Sequence, residues 1–257
     1  MGKCEKMKKE IILPVLGIFI GELMILFNQL SAGLAIYIFI LQAIVLFLIF
    51  GKAENEIKNL HQAFLLVLQI RIINLAMPQL FTVLLLWYPL IYGVMLIPIY
   101  YVVMNQKLTS QEMGLNFDSL HIYLPSAFII GTAAGLVEYI IIHPAPLIRN
   151  IQLSNLILIS LIMYVFVGAT EELIFRSILQ TRLENVLGLN YGFLLSGVLY
   201  GIMFVGQGMV IEILFAVFFG IVLGYFFQKT RSLPFVLTVH GTANVILFGV
   251  LPIIIQG

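Results

Sequence analysis

Long runs of apolar residues alternate with short polar stretches along the whole chain. Most runs are about 20 residues long, which is the length that an α-helix needs to cross a lipid bilayer. The pattern predicts about nine helices, of which several are short enough to be merged or re-entrant. The apolar runs cover residues 11–28, 33–50, 62–78, 81–104, 121–142, 153–170, 190–206, 209–228 and 233–255.

The composition favours a membrane protein over a water-soluble one. Hydrophobic residues make up 61% of the 257 residues and charged residues only 10%, whereas soluble domains are closer to half apolar. Only helices and closed barrels satisfy backbone polar groups in lipid, and unbroken apolar runs favour helices over alternating strands. We therefore predict an all-α fold, a polytopic transmembrane bundle of about eight or nine helices, with residues 1–257 forming a single membrane domain.

The charges exclude some partners and suggest an orientation. The net charge is +1 and no large basic patch is present, so the sequence gives no reason to expect a nucleic-acid partner. The polar stretches 51–60, 105–120 and 176–184 and the pair Lys229 and Arg231 separate the predicted helices, and all of them lie inside if the N-terminus is cytoplasmic. Of the 13 Lys and Arg residues, all but Arg71 and Arg149 then lie on the cytoplasmic side, as the positive-inside rule requires. We expect a multi-pass protein of the cell membrane with a cytoplasmic N-terminus.

Three charged residues occur together between apolar segments, where charge is costly and is usually functional. The stretch 169–176 reads Ala-Thr-Glu-Glu-Leu-Ile-Phe-Arg. On a helix, Glu172 and Arg176 are four residues apart and can form an ion pair. Glu171 points about 100° away from Glu172 and is free to act on a water, a metal or a substrate. The alternative is a helix end at the membrane surface with solvated charges.

A second polar group lies in the last apolar run. His240 and Asn244 are four residues apart, so the imidazole and the carboxamide project from one helical face. Such a pair can ligate a metal, position a water or donate to an oxyanion. The alternative is an interhelical hydrogen bond that stabilises the bundle. A carboxylate at Glu171 and an imidazole at His240 together supply the groups needed for hydrolysis by an activated water.

The remaining ionisable residues in apolar sequence have structural interpretations. Glu22 and Arg71 lie in separate predicted helices and can pair across the bundle. Together with Glu138 they could instead form a relay in a transporter, although we find no inverted repeat to support one. Glu212, near the start of the eighth run, is expected to be solvated at the surface.

These motifs resemble those of the type II CAAX prenyl endopeptidases and the wider CAAX-protease and bacteriocin-processing (CPBP, Abi) family. The two glutamates with an arginine four residues after the second correspond to Glu171, Glu172 and Arg176, and the final His-x-x-x-Asn motif corresponds to His240 and Asn244. The similarity extends over about 109–251. The resemblance implies that this part is the catalytic core and that the N-terminal helices, 11–104, are accessory.

The resemblance implies an intramembrane endopeptidase, either metal-dependent or glutamate-dependent, that acts on membrane-associated peptides or proteins. Glu171 would be the general base, with Glu172 and Arg176 as its supporting pair. His240 and Asn244 would stabilise the oxyanion or hold a metal, for which zinc is the candidate. Prenylated CAAX proteins are the substrates of some members, whereas others need no lipid on their targets.

The middle motif of the family, Phe-x-x-x-His, is altered in this chain. Tyr200 replaces the phenylalanine, and Phe204 replaces the histidine. A phenyl ring can neither bind a metal nor carry a proton. Gln207 could offer a carboxamide to the site, but it lies between two glycines where we predict a turn. The alternative function is therefore a catalytically impaired member that binds peptides as a membrane chaperone or a bacteriocin-immunity protein.

Overall fold

A computed structural model describes residues 3–80, 85–118 and 120–256. Within these ranges the chain forms nine continuous helices and no strand. Seven of the helices are long and apolar enough to cross a membrane. The predicted all-α bundle is therefore confirmed. The helices are α1 (Lys3–Leu26), α2 (Leu30–Phe50), α3 (Asn55–Leu80), α4 (Trp87–Asn105), α5 (Leu120–Ile142), α6 (Leu153–Leu187), α7 (Leu189–Ile202, continued by a 3-10 turn Met203–Gln207), α8 (Val210–Thr230) and α9 (Leu233–Ile255).

Large apolar side chains cover the outside of the bundle while charged side chains lie inside it. Phe50 is 76% exposed and Leu153 is 74% exposed, whereas Glu172 and Arg176 are fully buried. Such an apolar exterior suits a hydrocarbon solvent and not water. The fold is that of a multi-pass membrane protein.

The polar segment 176–184 does not separate two helices, so this part of our prediction is wrong. It lies within α6, which continues without a break from Leu153 to Leu187. The polar side chains remain inside the bundle because they pair with one another. The Gln180 amide donates to Glu184 Oε1 at 2.8 Å, and the Arg231 guanidinium forms an ion pair with the Glu184 carboxylate. The polar residues of this segment are thus buried side chains that pair with one another or with neighbouring helices, and they do not form a loop.

Close contact between α5 and α9 fixes the position of the last helix. A Cβ atom on Gly131 would lie 2.5 Å from the carbonyl oxygen of Val239, and one on Gly135 would lie 2.6 Å from that of Ala243. Only glycine fits at these two positions, because any side chain would collide with the α9 backbone. The start of α9 is capped by the Ser232 hydroxyl, which accepts from the Phe235 backbone N–H. These contacts set the depth and rotation of α9.

A buried ion pair joins the first three helices. The Arg71 guanidinium on α3 donates to both carboxylate oxygens of Glu22 on α1, at 2.5 and 2.6 Å. The Tyr37 hydroxyl on α2 donates to the same carboxylate at 2.5 Å. The predicted pairing of Glu22 with Arg71 is confirmed.

Glu212 is fully buried, so the expectation that it is solvated at the surface is wrong. It follows the start of α8 by only two residues, but it lies on the side of α8 that packs against α5, next to the Glu138 carboxyl group. A position near the end of a helix did not indicate exposure here, because α5 and α8 pack together at this level.

Candidate functional site

The two adjacent glutamates lie in the middle of α6, at a local change in helix geometry. The residues Ala169–Glu172 form one α-helical turn between two π-helical segments, Ile162–Gly168 and Leu173–Gln180. π-Helical segments are rare and are often found at functional sites, because the added residue changes the direction in which side chains point. Here the geometry places Glu171 and Glu172 inside the bundle. Both are buried, which excludes the alternative of a solvated helix end.

Glu172 connects α6 to α9. Its Oε2 atom lies 3.2 Å from Nε of Arg176, one turn later on the same helix. Its Oε1 atom lies 2.7 Å from Nδ1 of His240. Because a carboxylate can only accept, Nδ1 carries the proton and donates. Glu172 therefore orients both the guanidinium and the imidazole ring.

Glu171 faces a cavity and uses its two oxygens differently. The Tyr92 hydroxyl on α4 donates to Oε1 at 3.0 Å. On the other side, Nε2 of His240 lies 3.7 Å from Oε2, which is too far for a direct hydrogen bond. The carboxylate and the imidazole therefore face the same space without being bonded to each other.

Aromatic rings surround the imidazole and the guanidinium. The rings of Tyr200 and Phe219 meet the His240 ring edge to face, with centroids 6.0 and 6.1 Å away. Cζ of Arg176 lies 4.9 Å from the centroid of the Tyr200 ring. This cation–π contact stabilises a guanidinium that is fully buried. The surrounding rings exclude other polar partners and keep the charged groups in place.

The predicted site residues meet at one cavity of about 640 Å³. Glu171, His240, Asn244 and Phe204 all line it, although they come from two helices and the turn after α7. Glu172 and Arg176 lie behind this wall and do not line the cavity. The other polar and aromatic lining residues are Asn28, Arg71, Asn74, Tyr88, Tyr92, Glu138, Phe175, Tyr200, Phe215, Phe219 and Phe248. A volume of this size is typical of ligand pockets.

Phe204 lies in the wall of the cavity, where the family motif has its histidine. Its ring centroid lies 5.5 Å from that of Tyr200. The following turn ends at Gly208, which adopts φ 74°, a backbone conformation that favours glycine. The predicted turn is present, but the side chain of Gln207 lies outside the described residues, so its contribution to the site stays a prediction.

The residues present do not fit a catalytic zinc ion. Such an ion normally has three protein ligands. Among the described residues, no group of three or more His, Cys, Asp or Glu side chains is close enough to hold a metal. Among the motif positions at the cavity, Glu171 and His240 are accompanied by the weak amide ligand Asn244, and Phe204 offers no nitrogen.

Tyr92 is the functional candidate that sequence reasoning missed. It belongs to a tyrosine-containing apolar run in the first half of the chain, 87–92, and such residues are common near membrane interfaces. Nothing in the local sequence distinguishes it from Tyr88, one turn earlier. Only the tertiary fold shows that its hydroxyl reaches Glu171.

Comparison with known proteins agrees with this geometry. Residues 153–246 match the family model described as type II CAAX prenyl endopeptidase Rce1-like. The match contains both glutamates, the arginine, the histidine and the asparagine identified above. No curated protein and no solved structure matches the chain. The resemblance is confirmed over residues 153–246, which are similar to the type II CAAX prenyl endopeptidases.

Proposed function

We propose that this chain is an intramembrane endopeptidase that hydrolyses a peptide bond of a membrane-associated C-terminal substrate, using a water activated by Glu171. The observation that carries the proposal is the meeting of Glu171, His240 and Asn244 at one cavity. Glu171 is separated from the other two residues by about 70 positions in the sequence. The similarity of residues 153–246 to the type II CAAX prenyl endopeptidases supports a peptide as the substrate.

The proposed reaction begins with a water held near the Glu171 carboxylate. Glu171 takes one proton from this water as the oxygen attacks the carbonyl carbon of the peptide, which forms a tetrahedral intermediate with a negatively charged oxygen. When the C–N bond breaks, Glu171 returns this proton to the leaving nitrogen. The products are a carboxylic acid, which keeps the second proton of the water, and an amine. Transfer of the acid proton to the amine gives a carboxylate and an ammonium group, and Glu171 ends the cycle in its starting state. No step uses a metal.

His240 and Asn244 are the proposed stabilisers of the oxyanion. The Asn244 amide supplies N–H donors, and His240 donates when Nε2 carries a proton. The bond from Nδ1 to Glu172 holds the ring so that Nε2 faces the space next to Glu171. Glu172 and Arg176 act as the supporting pair, because they fix the imidazole without lining the cavity.

The test is cleavage in vesicles that contain the purified protein. The probe is an internally quenched peptide that ends in a farnesylated CAAX sequence, compared with the same peptide without the farnesyl group. We expect Glu171→Gln to lower the cleavage rate roughly a hundredfold to ten-thousandfold, as for the loss of a general base. Cleavage by the Glu171→Gln variant at the wild-type rate would rule out this mechanism.

The position of Phe204 favours a second candidate function, which is peptide binding without catalysis. A member that lacks the motif histidine could hold a peptide in the cavity as a chaperone or a bacteriocin-immunity protein. Phe204→His separates the two candidates, since restoring the imidazole should create or raise cleavage in an otherwise competent site. Absence of cleavage in both forms, with binding of the quenched peptide retained, would favour the binding function.

The proposal includes the partners and the location. The protein would take its peptide substrate, with or without a lipid, from the bilayer in which it is embedded. The cytoplasmic orientation of the N-terminus rests on the distribution of Lys and Arg. It can be tested by reaction of Cys4 with a membrane-impermeant thiol reagent in intact cells and in inverted vesicles.

A further inference from the structure

Tyr92 is tied to the candidate site at two points. Its hydroxyl donates to Glu171 Oε1 at 3.0 Å, and its backbone oxygen accepts from the Thr170 hydroxyl at 3.4 Å. The side chain is 5% exposed and lines the cavity. The helical turn that carries Glu171 is therefore held against α4 by both a side chain and a backbone group.

Among the described residues, Tyr92 is the hydrogen-bond donor to the Glu171 carboxylate. It occupies Oε1, while Oε2 is directed towards His240 at a distance that leaves the two groups unbonded. A carboxylate can turn about its terminal torsion over a broad range of angles. A donor on one oxygen restricts that rotation, so the free oxygen stays on the side of the imidazole.

We propose that Tyr92 is the positioning residue of Glu171, which aims Oε2 at the water between the carboxylate and His240. This inference rests on the proposed function and deepens it. Phe204 occupies the position at which the family motif supplies a histidine, and its ring has no donor. The phenol of Tyr92 thus supplies from α4 a polar contact with Glu171 that the phenyl ring of Phe204 cannot supply.

The first experiment compares two tyrosines of the same helix. Tyr92→Phe removes only the hydroxyl that donates to Glu171. Tyr100→Phe is the matched control, since Tyr100 lies on α4 with its side chain 66% exposed on the outside of the bundle. With the quenched farnesylated peptide in vesicles, we expect Tyr92→Phe to lower kcat about tenfold to a hundredfold with KM changed less than about twofold. Tyr100→Phe should leave both constants unchanged.

The split between kcat and KM distinguishes positioning from general damage to the cavity. A variant that merely disturbs the wall would weaken peptide binding and raise KM. A kcat within about twofold of wild type for Tyr92→Phe would overturn the inference while Glu171-dependent cleavage, and hence the proposed function, stands. In the Phe204→His background, Tyr92→Phe should lower kcat by a smaller factor, because the added imidazole offers a second donor. An equally large fall in kcat there would overturn the claim that Tyr92 supplies the contact that Phe204 lacks.

A second experiment does not depend on activity. Dicyclohexylcarbodiimide modifies carboxyl groups in apolar surroundings, and fragment mass spectrometry assigns the adduct to Glu171 or Glu172. We expect faster labelling of Glu171 in Tyr92→Phe than in wild type, since Oε1 loses its donor, and an unchanged rate in Tyr100→Phe. Equal Glu171 labelling in all three proteins would overturn the hydrogen bond on which the inference depends. If wild type does not cleave the probe, the proposed function fails, and this labelling still tests the role of Tyr92.

Discussion

Replacing each of the two adjacent glutamates by glutamine should affect thermal stability very differently. Glu172→Gln removes the charge that neutralises Arg176, whose guanidinium is fully buried and lies 3.2 Å from the carboxylate. Breaking a buried ion pair by removing one partner costs about 3–5 kcal/mol, because the other charge stays buried without compensation. The cation–π contact with Tyr200 is present before and after the change, so it does not offset this loss.

The effect of Glu171→Gln on stability should be small. Glu171 faces the cavity, and its hydrogen bond from Tyr92 can be accepted equally well by a carboxamide oxygen. For a chain of this size, each kcal/mol shifts Tm by roughly 2–4 °C, so Glu172→Gln should lower Tm by about 6–20 °C. Glu171→Gln should stay within about 3 °C of wild type while losing cleavage of the farnesylated peptide.

Thermal unfolding of the detergent-purified proteins is followed with a fluorescent dye that does not react with thiols. Cleavage of the farnesylated peptide is measured separately in vesicles. The double variant Glu172→Gln with Arg176→Met is the control, since replacing both members of a buried pair by neutral groups is often neutral for stability. Its Tm should recover towards wild type. Equal Tm values for the two single glutamate variants would refute the proposed division of roles, in which Glu172 stabilises the buried Arg176 and Glu171 acts as the general base.

Further outcomes follow from other parts of the structure. Arg71→Met should lower Tm, because it leaves the Glu22 carboxylate buried without its cation, and adding Glu22→Gln should restore much of the loss. Metal analysis should find less than one zinc per chain, and stoichiometric zinc that is lost in His240→Ala would contradict the ligand argument. In the loop after α4, the Thr109 backbone N–H donates to Glu112 and lowers the pKa of that carboxyl group. The stabilisation from this hydrogen bond is fully present above the ordinary Glu pKa of 4.5 and is lost as pH falls through the lowered pKa. Glu112→Gln should therefore flatten the Tm profile below about pH 5.

The sequence was informative where charge interrupts apolar runs. Glu171, Arg176 and His240 could be identified because charged and polar groups are rarely kept inside a bilayer without a purpose. The same reasoning failed at 176–184, since polarity was taken as a helix boundary when the side chains pair inside α6. Glu212 was misjudged for a related reason, because the neighbouring helix that buries it is distant in sequence.

The contacts between distant helices that build the candidate site could not be predicted. The bond between Glu172 and His240 joins residues 68 positions apart, and the bond between Tyr92 and Glu171 joins residues 79 positions apart. Spacing along one helix predicted the pair Glu172–Arg176, which is four residues apart. It gives no information on which faces of α4, α6 and α9 meet. That depends on close packing, such as the contact of Gly131 with the α9 backbone.

The cavity connects the part of the chain that matches the family to the part that does not. One wall is formed by residues within 153–246, and the opposite wall includes Arg71 and Asn74 on α3 and Tyr92 on α4. Because Glu171 takes its hydrogen bond from α4, changes in the first hundred residues reach the chemistry directly. Conversely, the ion pair of Glu172 with Arg176 and its hydrogen bond with His240 join only α6 and α9. Variation in α3 and α4 should therefore change which peptide fits and how Glu171 is aimed, while the ion-pair support behind it is preserved.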